Sequence, residues 1–112
     1  MSLITRSYSS IEITPNTTTR TLVHTVPANT QSFLYGGTIS NIDAAHEPQS
    51  FTLEKEVGGV FYPVTMNNWV PYGTSLYFPT TVTLNAGDKL HVTVTNANKL
   101  CFNLSITKRT EV

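Results

Sequence analysis

Leu100, Phe102, Leu104 and Ile106 alternate with Cys101, Asn103, Ser105 and Thr107. A period of two places successive side chains on opposite faces, so this run predicts a strand with one buried side. Leu90, Val92 and Val94 alternate in the same way with His91, Thr93 and Thr95, and Val82 and Leu84 with Thr81 and Thr83. The run Leu84-Asn85-Ala86-Gly87-Asp88-Lys89-Leu90 supplies a Gly-Asp turn, and Asn96-Ala97-Asn98-Lys99 has hairpin length. Together these predict an antiparallel meander of three strands. Upstream, Phe51, Leu53 and Val57 oppose Thr52, Glu54 and Glu56, which places the two glutamates on the solvent side. Gly58-Gly59 offers the positive-φ positions of a tight turn into Val60–Val64. Pro63 removes a ladder donor and predicts an edge strand or a bulge.

Arg20 to Val26 reads as a strand stopped by Pro27, and Thr30 to Ile42 as a longer one bent at Gly36-Gly37. Asn41 to Gln49 and Met66 to Thr74 read as loops, with Ser75 to Phe78 a short strand after the second. No segment carries a helical stripe. The expected fold is all-β: an antiparallel β-sandwich of jelly-roll type with about eight short strands. Residues 15–112 form the sandwich domain. Residues 1–14 contain Leu3, Ile4, Tyr8, Ile11 and Ile13 but are set apart by Pro15-Asn16 and a threonine run. Two readings of them stand open, a first strand of the same sandwich or an N-terminal arm lying on a neighbouring subunit.

Composition narrows the partners. Charged residues are 12% of the chain and its formal net charge is +0, against about 25% charged in an average soluble domain. Nucleic-acid affinity rests on clustered cations at phosphates, and Lys55, Lys89, Lys99 and Lys108 are scattered; no nucleic-acid partner is expected. No apolar run has the length of a signal peptide or a membrane span, so no membrane partner is expected either. The single cysteine, Cys101, cannot form an internal disulfide and is expected to be a free thiol on the polar side of its strand. A surface of Thr, Ser and Asn is cheap to desolvate and suits a subunit that packs against neighbours.

Candidate chemistry is sparse. Serines lie outside any Gly-x-Ser-x-Gly elbow. His24, His46 and His91 lack ligand spacing, and His24, reading onto one face with Leu22 and Val26, is expected as a hydrogen-bonded core or edge histidine. His91 is expected on the solvent face. Asp43, His46 and Glu47 cluster in one loop whose carboxylates could face a cation such as calcium, in a pattern too loose to match a known motif, and Asp88 is expected to bond turn amides. No catalytic, metal or cofactor-binding residues are assigned. Trp69 and Tyr72, aromatics in a loop, are candidates for a protein interface, for stacking on a sugar ring, or for capping one end of the sandwich. Leu3, Ile4 and Tyr8 join them as interface candidates.

The order of segments from Pro15-Asn16 through Thr21-Leu22-Val23-His24-Thr25-Val26-Pro27-Ala28-Asn29-Thr30, Ile39-Ser40-Asn41, Gly58-Gly59-Val60-Phe61-Tyr62, the Ala86-Gly87-Asp88 turn and Leu104-Ser105-Ile106 resembles the small β-sandwich virion proteins of tailed bacteriophages. The likeness covers about residues 15–107, and the aromatic Met66–Phe78 segment departs from it. It implies a non-enzymatic virion component assembled in the host cytoplasm. The role implied is a capsid decoration or cement protein, or else a neck, tail or fibre module. It also implies self-association as a homotrimer, contact with the major capsid protein or other virion subunits, and no cofactor.

Overall fold

A computed structural model describes residues 3–78 and 81–111 of the chain. Among the described residues nine strands follow in order: β1 (Ile4–Ile13), β2 (Thr21–Thr25), β3 (Thr30–Asn41), β4 (Gln49–Val57), β5 (Val60–Val70), β6 (Ser75–Phe78), β7 (Val82–Leu84), β8 (Lys89–Val94) and β9 (Leu100–Glu111). All pairings are antiparallel. One sheet runs β1-β9-β3-β6 with β7 also on β3, and the other runs β2-β8-β4-β5. This is the strand order of a two-sheet jelly roll in which one edge strand is divided into β6 and β7. The expected all-β sandwich is therefore the fold.

The two inner faces meet in one core. Leu34 and Ile39 of β3, Phe51 and Leu53 of β4, Leu90, Val92 and Val94 of β8, and Leu100, Phe102, Leu104 and Ile106 of β9 are all buried. Phe51 and Phe102 meet edge to face across the sheets, with centroids 5.3 Å apart. Ile11 and Ile13 of β1 pack against this core from the side. The first seven residues of β1 are exposed, because β9 and β3 outrun the short strands of the opposite sheet. The molecule is accordingly elongated, 56 × 26 × 20 Å.

The expected meander is replaced by a different connectivity. β7 pairs with β3, β8 with β2 and β4, and β9 with β1 and β3. The turns at Asn85–Asp88 and Thr95–Lys99 thus carry the chain from one sheet to the other. Alternation identifies a strand and its buried face but contains nothing about which strand lies beside it. The Gly58-Gly59 hairpin does pair as expected, with Val57 opposite Val60 and both glycines at positive φ. β5 continues to Val70, through the start of the expected loop. Two register shifts against β4 and a positive φ at Asn67 erase its alternation. In β2, a register shift between Leu22 and His24 separates two residues read as sharing a face. Leu22 points outward at 51% exposure, while His24 turns inward to Ser32 Oγ at 3.0 Å.

Candidate interaction surface

The loops after β1, β3, β5 and β8 gather at one end of the sandwich, held by backbone bonds such as Ile42 N to Lys99 O at 2.9 Å and Asn98 N to Pro15 O at 2.8 Å. Asp43 organises this end. One carboxylate oxygen accepts from the Ala45 amide at 2.9 Å and faces Lys99 Nζ at 3.0 Å; the other accepts from Gln49 Nε2 at 3.0 Å and the Glu47 amide at 3.3 Å. The Ala45 amide above all, then the Lys99 ammonium, lowers the Asp43 pKa to about 2 although the residue is buried. Asn41 completes the frame, accepting from the Asp43 amide and donating to the Glu47 and Val70 carbonyls. The loop is folded by its own polar groups, and Asp43 offers no free oxygen to a cation. No cluster of metal-ligating side chains occurs among the described residues.

That frame displays aromatics. His46, at a φ of 64°, stacks on Tyr72 with centroids 4.0 Å apart. Tyr72 is 44% exposed and Trp69, on β5, is 59% exposed. Trp69 faces outward because its neighbour Val70 is fully buried and successive strand residues oppose one another; it does not fold over the core. Ile42 and Met66 are also exposed. Sequence reasoning missed both, Met66 because the bulged half of β5 hides its strand character.

Leu3, Ile4 and Tyr8 lie elsewhere. They sit in and beside β1, the outer strand of the other sheet, and Tyr8 is 76% exposed. The five candidates therefore form two surfaces. Across β8, β4 and β5 the outer face of the second sheet carries charge chemistry of its own. Arg20 grips Glu54 through two nitrogens at 2.9 and 3.3 Å and lies 3.7 Å over the Phe61 ring. His91 reaches Glu56 at 2.7 Å and is shielded on the outer face beside Phe61. These groups are mutually paired around an open depression of about 440 Å³ lined by Thr19, Arg20, Thr52, Glu54 and Thr93. Asp88 bonds the Asn85 amide at 2.8 Å, as its turn role requires.

No protein-family model matches the chain, and no curated protein does. Solved structures do. A Bacillus endospore appendage protein, from a family of disulfide-linked pili, aligns over 100% of this chain and 91% of its own at 18% identity and a TM-score of 0.60. The infectious bursal disease virus Gx strain structure aligns over 100% of this chain and 33% of its own at 8% identity and a TM-score of 0.52. A pentameric capsid protein from metagenomic phage sequences aligns over 88% of this chain and 59% of its own, at 20% identity and a TM-score of 0.47. The chain shares its β-sandwich fold with the endospore appendage protein and with part of the infectious bursal disease virus protein.

Proposed function

We propose that this chain is a non-enzymatic structural subunit of a phage virion, acting as a decoration or cement protein that bridges neighbouring capsid subunits. The single observation that carries this reading is the pairing of a rigid, low-charge sandwich with exposed apolar side chains on two of its borders, Tyr8 on β1 and Met66 and Trp69 on β5. Exposed aromatic and methionine side chains rimmed by uncharged polar residues are the composition of protein interfaces. Bridging works through repetition. Several modest contacts per homotrimer act together as an effectively stable attachment, and binding only the assembled shell stabilises that state by mass action.

The test mixes the purified protein with empty phage shells and follows co-sedimentation. Wild type is expected in the shell fraction at a copy number that scales with shell subunits, and Trp69→Ala is expected to bind more weakly while keeping the wild-type unfolding temperature. A protein that stays in the supernatant overturns the reading. A few copies per particle would move the assignment to the neck, tail or fibre. A second reading, a subunit of a pilus-like filament, is favoured by the near-complete mutual coverage with the endospore appendage protein. Growth of filaments from purified subunits would select it.

A further inference from the structure

The borders of the two sheets differ in how they are protected against pairing. β2 is five residues long and bulged, and β6 and β7 have four and three residues. β5 is long but carries Pro63 and two register shifts. Such features prevent edge-to-edge association. β1 has none of them. Its ten residues pair with β9 in one unbroken register, it contains no proline, and among the described residues no strand pairs with its other side.

Its charges are also unresolved within the chain. Arg6 stands directly opposite Arg109 of β9, and among the described residues neither takes part in an ion pair. Like charges facing one another across strands are destabilising. Glu12 lies on the same face as Arg6, since even-numbered residues of β1 all point one way; it accepts from Ser10 Oγ at 3.2 Å and, among the described residues, joins no ion pair.

We propose that β1 is a self-pairing edge. Two copies of the chain join β1 to β1, antiparallel and about a twofold axis, with Ser9 opposite Ser9 of the second copy. This inference rests on the assembly role above and assigns one of its contacts. The register follows from charge. With Ser9 at the axis, each Arg6 meets Glu12 of the second copy, twice by symmetry. A shift of two residues in either direction puts Arg6 opposite Ser10 or Thr14 and Glu12 opposite Ile4 or Tyr8. A one-residue slip turns the second sandwich to the other face of the joint sheet. In the chosen register the inner face sets Thr5 against Ile13 and Ser7 against Ile11. Main-chain bonds along the strand supply the affinity, and the two Arg–Glu pairs select the alignment.

Sedimentation equilibrium at low salt tests this with Arg6→Glu and Glu12→Arg. Wild type is expected to form dimers, or to cross-link trimers into larger species. Each variant alone sets like charges opposite one another at both symmetric positions and raises the dissociation constant by about tenfold. An equimolar mixture of the two variants restores two opposite-charge pairs and with them the wild-type affinity. A monomeric wild type overturns the proposal, as does association that neither variant weakens or that mixing fails to recover. A protein that stays monomeric yet binds shells removes the self-pairing edge and leaves the virion role. One that dimerises as expected and ignores shells does the reverse.

Discussion

Asp43 is a carboxylate whose folded environment holds it ionised far below its ordinary range, chiefly through the Ala45 amide and Lys99. Its folded pKa lies below its unfolded value, so its contribution is fully present above about pH 4 and is lost as pH falls toward 2. Thermal unfolding measured from pH 5 to pH 2 should therefore steepen in that window, and Asp43→Asn should flatten the dependence. A wild-type slope unchanged by the substitution would separate the loop frame from acid stability. Gly37 makes a second residue-scale argument. A Cβ there would collide with the Asn103 carbonyl and come within 2.9 Å of the Leu104 Cα, at a φ of 155°. Gly37→Ala is expected to destabilise by about 3 kcal/mol, the upper end of overpacking costs, read as a lowered denaturation midpoint. Neither atom in its way is a movable side-chain end.

At the scale of elements, β1 divides into two parts. Its first seven residues are exposed, whereas Ile11 and Ile13 pack against the core. Removing residues 1–9 is expected to leave a cooperative unfolding transition near the wild-type temperature. Extending the deletion through Ile13 should lower that temperature by several degrees more, because two partly buried isoleucines are lost and each buried methylene contributes about 0.8 kcal/mol. Equal effects of the two truncations would contradict the division. The strands also show what was legible beforehand. Leu100–Thr107, Leu90–Thr95 and the Gly58-Gly59 hairpin were readable because their alternation is uninterrupted or their turn needs a specific residue. The second half of β5 was not, since Pro63 and the bulges around Thr65–Asn68 break the pattern that reveals a strand. Partners were illegible for β7, β8 and β9, because turns such as Asn85–Asp88 look the same whether they close a hairpin or cross between sheets. The interface candidates Trp69 and Tyr8 were legible as large aromatics in polar surroundings. Ile42 and Met66 were concealed by the loop and the bulge that carry them.

As a whole molecule, the chain is a stiff slab with different borders. One end is framed by Asp43 and shows Tyr72 and His46, β5 shows Trp69 behind a bulged and proline-bearing edge, and β1 is open. Surfaces so separated suit a part that meets more than one neighbour at once, which is the geometry a bridging subunit needs.

The pairing of β1 with β9 has a consequence for the order of events at synthesis. Ile4 lies opposite Glu111 and Ile13 opposite Phe102, so the first strand of the sandwich to be made waits for β9. Until then it is an unsatisfied ribbon with no template, and loop closure spanning all the intervening strands must precede its reward. The border offered to other molecules is thereby created only once β9 has been made and laid between β1 and β3.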